Sequence, residues 1–219
     1  MRLLALLFLL PLSSFALTPL PPRQVPPQVW IDPGAGDLKP IALGDVAIDI
    51  RTFGFIARTS IELRFDNPNG RVLEGEFVFP LSAGQTVAGY ALEVNGAMRE
   101  GVVVEKETAR VAFEDITRQQ VDPGLAEITQ GNVFRTRLYP IPARGSKRVR
   151  LSFEQVMSDG DKAWRYELPL HFTQTVGRFT VRARAALASA APSGGEFAFE
   201  RAGTEWFTEL TRENVTPQR

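Results

Sequence analysis

Strict alternation of apolar and polar residues recurs along most of this chain, and it is the feature that leaves the fewest folds open. In VAIDIR, Val46, Ile48 and Ile50 fall on one side and Ala47, Asp49 and Arg51 on the other. SIELRF repeats the pattern, with Ile61, Leu63 and Phe65 against Ser60, Glu62 and Arg64. Successive side chains of an extended backbone point to opposite faces, so a period of two marks a strand with one buried and one wet face. VFRTRLYPI, KRVRLSFEQV, AWRYELPLHF and GRFTVRARAAL extend the series. In the third of these, Trp164, Tyr166, Leu168 and Leu170 share one face and Arg165, Glu167 and His171 the other, which predicts an exposed histidine.

Turn chemistry separates these runs. Asp66-Asn67-Pro68-Asn69-Gly70 combines residues that tolerate positive φ with one whose φ is fixed. Asn95-Gly96, between two apolar-rich runs, predicts a two-residue hairpin. LEGEFVFPL (73–81) reads as a strand with Leu73, Phe77 and Phe79 in the core, Gly75 leaving room for a neighbour, and Glu74 and Glu76 on the wetter face. The period then changes. Ala109, Ala112, Phe113 and Ile116 lie at i, i+3, i+4 and i+7, which predicts one short α-helix over about 104–119, with Glu114 and Arg118 as a favourable i,i+4 pair. Asp122-Pro123-Gly124 closes it. The expected class is mainly β: an antiparallel, sandwich-like arrangement with one inserted helix.

The N-terminus has another logic. Arg2, an apolar run from Leu3 to Leu10, Pro11 and the small-residue pattern Ser14-Phe15-Ala16 form the layout of a secretory signal peptide, cut after Ala16. That run is too short for a stable membrane span. The expectation is a secreted or periplasmic protein with no integral membrane segment after cleavage. Residues 17–40 carry six prolines between Pro19 and Pro33 and read as an extended leader. The folded domain is expected over 41–187. Residues 188–219 are expected to be a linker, ASAAPSGG, followed by short strands in EFAFER and EWFTEL.

Among 219 residues there is no cysteine and a single histidine, His171, so disulfides, thiolate nucleophiles and histidine-rich metal sites are excluded. Zero net charge gives no general attraction to nucleic acid or to an anionic surface. The sequence has no nucleophile elbow, Walker loop, dinucleotide fingerprint, zinc-protease motif or EF-hand spacing. No catalytic, cofactor or metal residue is assigned. Two minority readings remain. Glu74, Glu76, Asp115 and Asp122 could serve a carboxylate-dependent hydrolase, if two of them line one cleft at about 5–10 Å. Arg144, Lys147, Arg148 and Arg150, with Arg178, Arg182 and Arg184, could bind a polyanion in a salt-dependent way.

Five segments occur in an order that resembles the VIT domain, the module of vault proteins and inter-alpha-trypsin inhibitor heavy chains. They are FGF (53–55), LEGEFVFPL, ALEVNGAMREGVVVEKETARVAFED (91–115), DPGLAE (122–127) and NVFRTRLYPIPARG (132–145). The resemblance is strongest over 41–156. It implies a β-rich, non-catalytic module that usually precedes a von Willebrand A domain and contacts a protein partner. The matching residues are implied to be structural: Phe53, Gly54, Phe55, Glu74, Gly75, Glu76, Phe77, Phe79, Pro80, Asn95, Gly96 and Gly101. Beyond these come Glu105, Arg110, Phe113, Asp122, Pro123, Gly124, Asn132, Phe134, Arg135, Tyr139 and Pro140. Glu105 and Arg110, flanking the predicted helix, could form a charge pair across it. Composition rich in Ala, Arg and Pro suggests a bacterial source, and the sequence is expected to be the front of a longer protein, with a free-standing module as the alternative.

Overall fold

The computed structural model describes residues 27–31, 40–105, 125–129, 132–159, 163–168, 172–186 and 190–217. In chain order the strands are β1 (Gln28–Ile31), β2 (Ala42–Phe53), β3 (Ile56–Asp66), β4 (Leu73–Pro80) and β5 (Gln85–Val94). Next come β6 (Ala97–Glu100), β7 (Val102–Glu105), β8 (Leu125–Thr129), β9 (Val133–Ile141) and β10 (Ser146–Val156). The series ends with β11 (Ser158–Asp159), β12 (Trp164–Arg165), β13 (Val176–Ala186), β14 (Glu200–Ala202) and β15 (Glu205–Val215).

These strands make an eight-stranded sheet in the order β14-β15-β13-β2-β3-β10-β5-β6 and a five-stranded sheet in the order β1-β4-β9-β8-β7. β11 and β12 form a separate two-stranded ribbon. The alternating apolar residues of both large sheets meet in one core. Ile48, Leu63, Leu151 and Phe153 come from the first sheet, and Phe77, Phe79, Phe134 and Leu138 from the second. Rings interlock across the layer: Phe65 with Phe77 at 5.8 Å, Phe79 with Phe153 at 6.1 Å, and Tyr90 with Phe134 at 5.4 Å between centroids. Each fully buried phenylalanine contributes about 1.5–3 kcal/mol from area alone, and tilted ring pairs add about 0.5–1.5 kcal/mol.

The chain passes from one sheet to the other between β6 and β7, at Gly101. Its N–H donates to the Tyr90 carbonyl at 2.9 Å, and a Cβ added there would collide with the Tyr90 ring. Only glycine fits this crossing. The Asn95-Gly96 hairpin forms as expected, with φ of 51° and 79°, the left-handed pair a two-residue turn needs.

Several expectations change. The pairings are mixed, because β13 runs parallel to β2 and β7 parallel to β8. Residues 104 and 105, where the helix was expected to begin, end strand β7; the remainder of that helix lies outside the described residues, among which there is no helix. The proline-rich leader contributes β1. Its Val29 and Ile31 pack against the core, and it pairs with β4 over four residues, because a β-branched and aromatic run sits between its prolines. Among the described residues of AWRYELPLHF, a ladder forms only at Trp164–Arg165; Tyr166 and Leu168 reach the core from irregular backbone. His171 lies outside the described residues. The C-terminal stretch holds an eleven-residue strand, β15, paired with β13 from Val176↔Val215 to Ala186↔Glu205.

Candidate functional site

Glu74 and Glu76 project from β4 onto the exposed face, as their alternation requires, and β9 supplies a cation to each. Arg137 Nη2 lies 2.6 Å from Glu74, and Arg135 Nη1 lies 3.1 Å from Glu76. The register Glu76↔Arg137 and Val78↔Arg135 explains this: each arginine leans to a carboxylate on the neighbouring strand. Carboxylates held by arginine on a solvent-open face have neither a shared proton nor the desolvation a general acid needs. Asp115 and Asp122 lie outside the described residues. Val78, on the same face as the two glutamates, is buried; Gln28 of β1 and Arg135 flank it in register, so the leader strand covers one side of it. Among the described residues, no cluster of three metal-ligating side chains is present.

Most of the basic residues are engaged in the same way, while Arg144 is exposed in the β9–β10 turn at φ 48°. Arg148 lies within 3.5 Å of both Glu62 and Glu93, and the Glu93 carboxylate also accepts its backbone N–H at 3.0 Å. Those bonds hold the Arg148 guanidinium protonated beyond its ordinary range. Arg150 pairs with Glu100, Arg178 with Glu213, and Arg182 with Glu209. Arg184 stacks over Phe207, with 5.5 Å between its guanidinium carbon and the ring centroid. Lys147 is not on the surface at all. It shares parity with Val149 and Leu151, is buried, and donates through Nζ to the Tyr139 carbonyl at 3.1 Å. Its parity carried that signal, whereas its place in a run of cations pointed the other way.

Open backbone is found at strand edges. β14 pairs with β15 only over Glu205–Phe207, so among the described residues no strand covers the outer edge of Thr208–Val215. β6, four residues long, closes the opposite edge of the same sheet.

A family model described as "VIT: Vault protein inter-alpha-trypsin domain" matches residues 43–153, which is 111 of the 219 residues. The chain belongs to the VIT family. This VIT domain is 25% identical over 115 residues to protein mono-ADP-ribosyltransferase PARP4 of Mus musculus, covering 52% of the present chain and 6% of that protein. It is 25% identical over 134 residues to human von Willebrand factor A domain-containing protein 5A, covering 60% of the chain and 17% of that protein. The chain thus spans a small part of each relative. Among solved structures, an M1 zinc metallopeptidase from Deinococcus radiodurans is similar, with TM-score 0.44 and 14% identity over 78% of this chain and 38% of that one. VIT domains are generally non-catalytic, and the family is one of protein-interaction modules.

Within the VIT domain, the motif residues separate into core, turns and surface. Phe77, Phe79 and Phe134 are buried. Asn132, at φ 58°, ties a loop together by donating its side-chain amide to the carbonyls of Ser82 at 2.9 Å and Gln85 at 3.2 Å. Gly75 is buried in β4 beside Leu138, while Pro80 ends that strand. Tyr139 and Pro140 are exposed, joined by a cis peptide, and Arg137 lies over the Tyr139 ring. Phe53 and Phe55, on either side of Gly54, are exposed at the β2–β3 turn. Glu105 ends β7, and Arg110, Phe113, Asp122, Pro123 and Gly124 lie outside the described residues. The sequence predicts a turn over residues 66–70 but not the burial of Asn67 within it. Its buried amide donates to the carbonyls of Arg71 and Pro142 at 2.9 Å, and its Oδ1 accepts the Asn69 N–H, so one side chain organises the β3–β4 turn.

Proposed function

We propose that this VIT domain acts as an exported, non-catalytic contact module, holding a protein partner in the cell envelope or outside the cell, beside a further domain such as von Willebrand A. The observation that carries the reading is the open edge of β15. Over residues 208–215 every second residue turns its backbone N–H and C=O away from β13, no strand among the described residues pairs with them, and such an edge accepts an added strand. Glu209, Arg212 and Glu213 line the strand and limit indiscriminate pairing. Family membership supports a contact role, and the arginine-bound state of Glu74 and Glu76 argues against acid–base chemistry there. The signal-like N-terminus supports export.

Photo-crosslinking from the β15 edge tests the reading. A crosslinker replacing Thr211 should yield one defined adduct with an envelope protein, and the same group replacing Ser60, in the middle of the sheet face, should yield none. A chain that remains monomeric and forms no adduct from Thr211 removes the support.

A further inference from the structure

One end of the eight-stranded sheet breaks the surface pattern found elsewhere. At that end Ala186, Phe53, Ile56 and Val156 lie side by side in register across β13, β2, β3 and β10. Their parity places them on the outer face, where the centre of the sheet carries charge. Phe53 is 54% exposed, Ile56 40% and Val156 67%. Phe55 at the adjoining turn is 51% exposed and packs its ring 5.9 Å from that of Trp164, itself 50% exposed.

The exposure does not come from loose loops. The Phe55 carbonyl accepts the Met157 N–H at 2.8 Å, and Met157 is buried. The Tyr166 hydroxyl lies 2.6 Å from Thr59 Oγ1, pinning the segment that carries Trp164 to β3. Gln155 and Ser158 donate to the carbonyls of Glu167 and Arg165. The tip is preorganised and presents large apolar groups to solvent, an arrangement that marks a contact site.

The row immediately behind it is cationic. Arg184, Arg51 and Arg58 are lateral neighbours across β13, β2 and β3. Like charges in adjacent register repel, so the row is unfavourable in isolation. Among the described residues the acids in register with this row stand at its ends: Glu154 beside Arg58, paired at 3.1 Å, and Glu200 beyond Phe207; Asp159 stands in register with Trp164 in the β11–β12 ribbon. Glu205 flanks Ala186 at the far corner of the apolar row. Two residues of strand separate the rows, which is about 7 Å.

We propose that this tip docks on the surface of an anionic lipid bilayer. Phe53, Phe55, Ile56, Val156 and Trp164 enter the interfacial layer, and Arg51, Arg58 and Arg184 meet lipid phosphates. Interfacial segments bury their apolar side by about 5–10 Å, so a basic row about 7 Å behind the tip falls at headgroup depth. Aromatic rings, and tryptophan above all, partition to this boundary. Arginine there contacts phosphate with a planar, multidentate donor set. The site is separate from the open edge of β15, and the proposal does not depend on a protein partner binding there.

Co-sedimentation with vesicles tests it. The chain should pellet with vesicles of equal parts phosphatidylcholine and phosphatidylglycerol, and far less with phosphatidylcholine alone. Added salt should weaken binding, and tryptophan emission should shift to the blue. Trp164→Phe should abolish most of the shift while pelleting persists. Arg51→Glu should weaken binding by more than about fivefold, since one basic residue near an anionic surface is worth about that factor. Arg51→Lys should retain it. Phe53→Ser combined with Phe55→Ser should abolish pelleting while thermal unfolding stays that of the parent protein. No pelleting above the phosphatidylcholine control overturns the proposal. So does pelleting that survives the double serine variant, and so does tip-dependent dimerisation or protein binding without vesicle binding.

Discussion

The centre and the tip of the eight-stranded sheet are made by the same strands under the same alternation, yet they present opposite surfaces. In the centre, inward Ile48, Leu63 and Leu151 back an outward face where Arg148 meets Glu62 and Glu93 and Arg182 meets Glu209. At the tip the outward positions of β2, β3 and β10 become Phe53, Ile56 and Val156, and the neighbouring cations stand in a row. Alternation therefore specifies which face a residue occupies but not what that face is for. Charge pairing across strands closes the centre chemically, whereas at the tip three arginines stand in adjacent register with one cross-strand acid, Glu154 beside Arg58, so apolar area and net positive charge are available together.

The largest expected contrast is in stability. Phe153 is fully buried against Phe79, whereas Phe53 is more than half exposed. Phe153→Ala should cost about 3–5 kcal/mol, from lost transfer energy and the cavity left behind. Phe53→Ser should change stability by less than about 0.5 kcal/mol, as surface substitutions do. Urea unfolding of the two variants measures the difference. A Phe53→Ser cost comparable to that of Phe153→Ala would make the tip part of the core and erase the distinction.

The link between tip and core has a pH signature. Burial pushes the Tyr166 phenol up to about 12 from an ordinary 10.0, with the Thr59 hydrogen bond opposing in part. The folded state therefore holds this proton more tightly than the unfolded state does. Its stability contribution is complete below pH 10 and drains away as pH rises toward 12. A shift of that size corresponds to at most about 2–3 kcal/mol. Parent and Tyr166→Phe proteins compared by urea unfolding across this window should converge as pH rises, and a constant gap would mean that Tyr166 ionises as freely folded as unfolded.

Much of the frame was legible because one physical cause dominated it. Val46 to Ile50, Ile61 to Phe65 and Val149 to Phe153 are strands because burial selects every second residue, and Asn95-Gly96 turns because both positions need positive φ. The signal failed where non-local pairing decided the outcome. β1 is a strand because β4 offers it an edge, although prolines surround it. The parallel partnership of β13 with β2 depends on a long connection that no local pattern records. The contact surfaces were harder still. The resemblance implies a structural Phe53 and Phe55, yet the alternation that turns Val46, Ile48 and Ile50 inward turns Phe53 outward, and Phe55 is exposed because it lies in the β2–β3 turn. Lys147 erred in the other direction: its alternation pointed inward, but its charge pointed outward.

The smallest effect probes whether the charge pairs of the centre contribute energy or only order. Arg182 and Glu209 are both more than 40% exposed at 3.1 Å, while the Glu93 that binds Arg148 is 18% exposed and also accepts a backbone N–H. Water and salt screen the first pair more than the second. A double-mutant cycle on Arg182 and Glu209 should give a coupling of about 0.2–1 kcal/mol that fades with added salt. The cycle on Arg148 and Glu93 should give a larger coupling that salt reduces less, since a hydrogen bond to a charged group contributes about 1.5–3 kcal/mol. Equal couplings would mean that exposure does not grade these pairs. Two null cycles would mean that the outer charges serve solubility alone, and that the centre differs from the tip in what it repels rather than in what holds it together.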